Sequence, residues 1–288
     1  MAKRYSREEV IARLKGTLKA GKPIIIAGAG DGFIAKLEEK GGVDIIGVYN
    51  SGWFRHYGVG SLGGLLPMGD TNRMVVELAY EVLPRVKEAI VIAGVCAQDP
   101  RTIWDAYLDD LLRMGFSGVM NFPTVGLIDA NSKFRKNLEE SGFGFDKEAA
   151  VLKMAHDKGI FTIGYCFTPE EARMIAKAGV DILACHVGLT AGGLIGATTV
   201  TSIEESIKIT NELINAAKEV RPEMDFFPIT HGGPMEDPES TAKVLAGTEA
   251  VGYLGASSVE RTPVEKAVVQ ICQEYKAMPV NIPGWLKL

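Results

Sequence analysis

The stretch MDFFPITHGGPMEDPESTAKVLAGTEAVGYLGASSVER, residues 224–261, holds two glycine-bearing strand ends, Thr230-His231-Gly232-Gly233-Pro234 and Gly255-Ala256-Ser257-Ser258. Each follows a short apolar run, Asp225–Ile229 and then Ala250–Leu254, and each leads within a few residues to a helix start. A strand that ends in Gly or Ser and feeds a helix presents backbone N–H groups at its tip, an arrangement suited to an anion. Two consecutive units of this kind predict the phosphate-binding corner of a (β/α)8 barrel, with Gly232, Gly233, Ser257 and Ser258 as anion contacts.

Working outward, the same unit recurs. Apolar runs at Pro23–Ala27, Ile45–Tyr49, Ala89–Val95, Gly118–Phe122, Ile160–Cys166 and Ile182–Val187 complete a set of eight strands that alternate with helical stretches. The phrase Gly42-Val43-Asp44-Ile45-Ile46 returns as Gly179-Val180-Asp181-Ile182-Leu183, as repeated βα units would have it. Ser6-Arg7-Glu8-Glu9 is a capping box that starts a leading helix within residues 1–22, placed at the bottom of the barrel. No Pro- or Ser-rich linker divides the chain, so the expectation is one α/β domain over residues 1–288, a single TIM barrel.

Composition bounds the function. A net charge of −5 without a basic tract argues against nucleic acid and against an anionic membrane surface. The four cysteines, Cys96, Cys166, Cys185 and Cys272, have no paired spacing, and no apolar run reaches spanning length. The expectation is a cytoplasmic, soluble protein with a small anionic substrate and no organic cofactor.

In a barrel the site lies at the C-terminal strand ends. His186 and His231 are the sharpest residues there, as general acid or base, with a core histidine donating to a backbone carbonyl as the alternative. Cys96 is a candidate nucleophile, and Asn121 and Arg261 are candidate anion contacts; Glu260 beside Arg261 is a candidate ion-pair partner for it. Gly28-Ala29-Gly30-Asp31-Gly32 is a tight turn that could also cradle an anion. The segment 52–70, with six glycines and Trp53-Phe54-Arg55-His56-Tyr57, reads as a lid or as a surface that docks a neighbouring subunit. Asp99 before Pro100 reads as the cap of a third helix, with a metal-binding or catalytic role as the alternative.

The run Ile24–Gly32, the phrase Gly47-Val48-Tyr49-Asn50-Ser51-Gly52-Trp53-Phe54-Arg55, Gly69-Asp70-Thr71-Asn72 and His231-Gly232-Gly233-Pro234 resemble the phosphoenolpyruvate hydrolase-like, or TIM-barrel signal-transduction, family. That family also forms the C-terminal half of a plant antiviral resistance protein. The resemblance implies a barrel of the phosphoenolpyruvate/pyruvate superfamily, which makes or breaks C–C or C–P bonds next to an oxo acid, with Mg2+ holding the enolate, often in homo-oligomers. By this resemblance Asn50, Ser51 and Gly52 hold the oxo acid, His186 matches a strand-six histidine, and Asp70 and Asp99 are the candidate Mg2+ ligands. The chain departs from the pattern where Cys96-Ala97-Gln98-Asp99 replaces an acidic pair, where Asn121 replaces a glutamate, and in lacking a Lys-Cys-Gly motif. The function expected is cleavage or hydrolysis of a small 2-oxo acid, phosphorylated or acylpyruvate-like. The alternative is a ligand-sensing or scaffold barrel that has kept the anion site.

Overall fold

The structure, a computed structural model, describes residues 1–283. Helix α1 (Arg7–Lys19) precedes eight units. They are β1 (Ile24–Gly28) with α2 (Gly32–Gly41), β2 (Ile45–Val48) with α3 (Asn50–His56) and α4 (Thr71–Val82), and β3 (Ile90–Gly94) with α5 (Trp104–Met114). Next come β4 (Gly118–Met120) with α6 (Lys133–Glu140) and α7 (Phe145–Asp157), β5 (Phe161–Cys166) with α8 (Pro169–Lys177), and β6 (Ile182–His186) with α9 (Ile203–Val220). The last are β7 (Phe227–His231) with α10 (Pro238–Ala246), and β8 (Gly252–Gly255) with α11 (Ser257–Glu260) and α12 (Thr262–Lys276). All neighbours pair in parallel, and β8 closes on β1 with Ile26 opposite Leu254, giving a closed eight-stranded barrel.

Strand alternation sorts the side chains. Ile45, Ile90, Ile92, Ile163, Ile182 and Ile229 fill the barrel interior, whereas Ile46, Val91, Ala93 and Leu183 face the helices. Both faces are buried, so the strands read as near-continuous apolar runs. The inward parity runs on to the strand ends: Phe161-Ile163-Tyr165, Ile182-Ala184-His186 and Ile229-His231 all lead to the mouth. The opposite parity turns Cys166 and Cys185 outward into the helix layer.

Helix α1 closes the other end. Its cap is the Ser6–Glu9 box, and Val10 and Leu14 are buried with Ile24, Ile26 and Ile45. The repeated phrase does the same work in both places. Asp44 accepts from the amide of Ile25, and Asp181 from that of Thr162, each capping the preceding strand.

Two local expectations are corrected. The 52–70 segment is not an open loop, since α3 and a 3-10 turn at Ser61–Leu65 order much of it. Asp99 does not cap a helix: α5 starts only at Trp104 behind Ile103, and Asp99 instead accepts from the Arg101 amide at 3.0 Å in a turn. The same Asx/Thr-Pro pattern does cap α8 at Thr168 and α10 at Asp237.

The last helix leaves the barrel. Almost every residue of α12 beyond Thr262 is exposed, including Val264, Val268, Ile271 and Tyr275 at helical spacing.

Candidate active site

A cavity of about 210 Å3 opens at the C-terminal mouth. Its floor and walls carry Tyr49, Arg55, Tyr165, His186, His231 and Ser257, and the segments 60–62 and 189–197 lie over it. The strand tips β1 and β2 meet closely beneath: a Cβ on Gly52 would stand 2.6 Å from the Cα of Gly30. Only glycine fits there.

The side built from β1, β2 and β8 is charged. Arg55, on α3, is buried and gives its Nε to Glu260 Oε2 and its Nη1 to Ser61 Oγ at 3.1 Å. Its Nη2 is buried without a partner, and so is the hydroxyl of Tyr49, whose ring lies 5.5 Å from the guanidinium. Burial works against the Arg55 charge, but the Glu260 carboxylate outweighs it, and the pKa is raised. Burial pushes the Tyr49 phenol up to about 12, so it stays a donor. The other Glu260 oxygen takes the amide of Gly30 and faces His56 Nε2 at 2.7 Å, while His56 Nδ1 faces Asp31 at 2.8 Å. The hydrogen bond to Glu260 is the main reason the His56 pKa is raised, against burial. Thus the glycine turn after β1 does hold an anion, and that anion is the chain's own Glu260. Behind this cluster Glu38 is buried with neither oxygen partnered; burial, then the Glu260 charge, pushes it up to about 9, and it is protonated at neutral pH.

The side built from β5, β6 and β7 is neutral. His186 and His231 stack edge to face, 4.5 Å between ring centroids, with Tyr165 within 5.8 Å of both. The Gly188 amide donates to His186 Nδ1 at 3.0 Å, which leaves the proton of a neutral ring on Nε2. His231 Nδ1 meets the carbonyl of Leu254, which can only accept, so its proton is on Nδ1 and its Nε2 carries a lone pair. Burial, and then His231, holds the His186 pKa well below the usual histidine range; burial brings His231 down to about 4. At neutral pH the cavity therefore contains one imidazole donor and one imidazole acceptor.

The remaining predicted site residues lie elsewhere. Asn121 falls on the outward parity of β4 and is consumed by Tyr165, through both backbone groups, and by Glu148 at 2.6 Å. Glu148, fully buried on α7, also takes Gln98 and the Val125 amide; burial raises it to about 7 against these donors. Asn50 binds the Gly64 carbonyl, and Ser51 packs where a Cβ on Gly64 would stand 2.6 Å from its Oγ, so neither lines the cavity. Gly52 lies at the β1–β2 contact. The predicted phosphate corner is not built as expected. The Gly233 amide donates to the Gly188 carbonyl, Gly232 has no place in the cavity wall, Ser258 bonds the Tyr253 hydroxyl, and of this set only Ser257 lines the cavity. Arg261 pairs with Glu265, not Glu260, and donates to the Gly192 carbonyl at 3.0 Å; Glu265 takes the Leu194 amide, so the two hold the 188–201 loop. Cys96 lies outside the cavity, and burial pushes its thiol up to about 11, which removes it as a nucleophile. His156, on α7, has its Nδ1 buried without a partner.

Asp70 and Asp99 do not fit a resident Mg2+. Both bind the Arg101 guanidinium, at 3.0 and 3.1 Å, and Asp70 also caps α4. A hard cation needs free oxygen donors, and here an arginine already holds them. Among the described residues no group of three or more His, Cys, Asp or Glu side chains is arranged to hold a metal, and no helix is long and apolar enough to cross a membrane.

Sequence reasoning misses Arg55, Tyr49 and Glu148, and it gives Glu260 the wrong partner. The alternation of β4 is the legible signal for Asn121 and its outward contact with Glu148. The Arg55–Glu260 pair joins residues 205 positions apart, and no local pattern announces it.

Comparison with known proteins agrees with the barrel. The chain is 50% identical over 276 residues to the ToMV resistance protein Tm-1(GCR237) of Solanum lycopersicum, covering 96% of this chain and 36% of that protein. It therefore spans about a third of the length of that relative. Its structure is similar to a phosphoenolpyruvate phosphomutase from Streptomyces platensis subsp. rosaceus, with a TM-score of 0.60, 14% identity and coverage of 92% of this chain and 86% of that one. It is also similar to a phosphonopyruvate hydrolase solved with oxalate and Mg2+, with a TM-score of 0.55, 17% identity and coverage of 94% and 92%. Residues 9–278 match the Phosphoenolpyruvate hydrolase-like family, and the chain belongs to it.

Proposed function

We propose that this chain is a hydrolase that cleaves the bond beyond the carbonyl-bearing portion of a small oxo acid. Arg55 Nη2 and the Tyr49 hydroxyl, two buried donors without partners, take the carboxylate. His186 Nε2–H donates to the oxo oxygen as charge develops there, and His231 Nε2 accepts the proton of the attacking water. The 189–197 and 60–62 segments act as the lid that limits water. The observation that carries this reading is the pair of neutral histidines, with opposite protons, beside a buried arginine donor without a partner.

Substitution His231→Ala tests it. Pyruvate release should fall about 10²–10⁴-fold with circular dichroism unchanged; an unaltered rate would remove His231 from the chemistry. The competing sensor reading draws on the neutralisation of Arg55 by Glu260. It predicts oxalate binding without turnover of any oxo acid. For Mg2+, the neighbour solved with that ion motivates the assay with and without chelator, and the occupied Asp70 and Asp99 predict equal rates in both.

The free cysteines support a reducing, cytoplasmic setting. The exposed stripe of α12 supports a homo-oligomer. β8 itself is buried, yet α12 shows Val264, Val268 and Ile271 to solvent, and Phe33 and Leu37 are exposed on α2. A second copy of α12 would cover both sets, and Val268→Glu with Ile271→Glu should then reduce the mass seen by light scattering to that of one chain.

A further inference from the structure

Resting on the hydrolase reading, we infer that the bond cleaved is carbon–carbon: the substrate is a singly charged acylpyruvate whose acyl group is apolar, not a phosphonate or phosphate ester. Charge points there first. Arg55 is the one arginine or lysine among the described residues lining the cavity. Its cluster sums to zero, with Arg55 and a doubly bridged His56 against Glu260 and Asp31, and with Glu38 protonated. One unpartnered guanidinium N–H and one phenol suit one carboxylate; a phosphoryl dianion needs further donors.

Several of the nearby backbone amides are already taken. The Gly233 amide goes to Gly188, those of Val259 and Glu260 to Ala256, that of Arg261 to Ser257, and that of Gly30 to Glu260. Much of the remaining lining is apolar, with Phe122, Leu127, Leu62, Leu189 and Ile195 alongside the hydroxyls of Ser61, Thr190 and Ser257. A cavity of about 150 Å3 accepts benzene, so about 210 Å3 leaves room for a short acyl chain beside the carboxylate.

The step balances with water as the one co-reactant. Water adds its oxygen to the acyl carbonyl carbon as His231 Nε2 takes one of its protons. The bond from that carbon to the methylene then breaks, and its electron pair passes into the pyruvate enolate, whose oxygen is held by His186 Nε2–H. His231 returns the proton to the methylene carbon. The products are pyruvate and a carboxylic acid.

The experiment measures kcat/KM for acetylpyruvate, butanoylpyruvate, phosphonopyruvate and phosphoenolpyruvate with the full chain, and repeats the series with Leu62→Arg. Leu62 is 45% exposed, so the change leaves the core intact. Butanoylpyruvate should exceed acetylpyruvate by about fourfold per added methylene, and both phosphorus substrates should be at least about a hundredfold slower, two steps of tenfold at about 1.4 kcal/mol each. Leu62→Arg should narrow that gap. Phosphonopyruvate turned over faster than either acylpyruvate would overturn the inference and leave the hydrolase reading standing. Silence on all four would overturn both.

Discussion

The two halves of the mouth solve the problem of burying polar groups in opposite ways. On the β1–β2–β8 side the chain gathers full charges and cancels them, Arg55 and His56 against Glu260 and Asp31. On the β5–β6–β7 side it keeps titratable rings neutral by burial, with each Nδ1 tied to the backbone. A cancelled charge cluster is rigid and costly to break, which suits holding an anion in place. Neutral imidazoles are easily buried and ready to exchange a proton, which suits chemistry. On this difference rests the proposed division of binding to one half and reaction to the other.

The division can be broken first at Glu260. Replacing Glu260 by Ala leaves Arg55 buried and unpaired, and the expected loss is about 3–5 kcal/mol of stability in denaturant unfolding; a negligible loss would mean that water already screens the pair. A gentler change sharpens it. Arg55→Lys keeps the charge but not the fork, so KM should rise about 10–100-fold while kcat is held, on the basis of about 1.5–3 kcal/mol for a hydrogen bond to a charged group. Equal losses in kcat and kcat/KM would place Arg55 in the reaction, not only in binding.

Glu148 is the control outside both halves. Its folded pKa, raised by burial to about 7, lies above the ordinary carboxyl value of 4.5, so the folded chain binds this proton more tightly. The contribution is present below the unfolded value and is lost as pH rises from about 4.5 to about 7. Glu148→Gln should abolish that slope and cost about 1–3 kcal/mol, because its amide would meet the Asn121 donor. Turnover at neutral pH should not change.

Much of this is legible in the sequence, and the part that is not has a definite physical cause. The eight strands, the leading helix and the position of both histidines at the mouth follow from apolar patterning and capping, which are local. The glycine turns after β7 and β8 invite an anion because free amides are what such turns offer, but here the Gly233 amide goes to the Gly188 carbonyl and those of Val259 and Glu260 turn back to Ala256. Glu260 next to Arg261 suggests a pair because opposite charges adjoin in the chain. In the fold α11 turns Glu260 inward to Arg55, while Arg261 reaches one turn ahead to Glu265. Asp99-Pro100 has the form of a helix start, and Arg101 draws its carboxylate into a turn instead.

The assignment of reaction to the β5–β6–β7 half depends on two neutral imidazoles that face one cavity with their protons on opposite ring nitrogens. Nitrogen-15 NMR of histidine-labelled protein, titrated from neutral to acid, reads this directly. His231 should carry its proton on Nδ1 and titrate near pH 4, and His186 should carry its proton on Nε2 and titrate well below the usual histidine range. An imidazolium at either position at neutral pH, or the same tautomer at both, would contradict it.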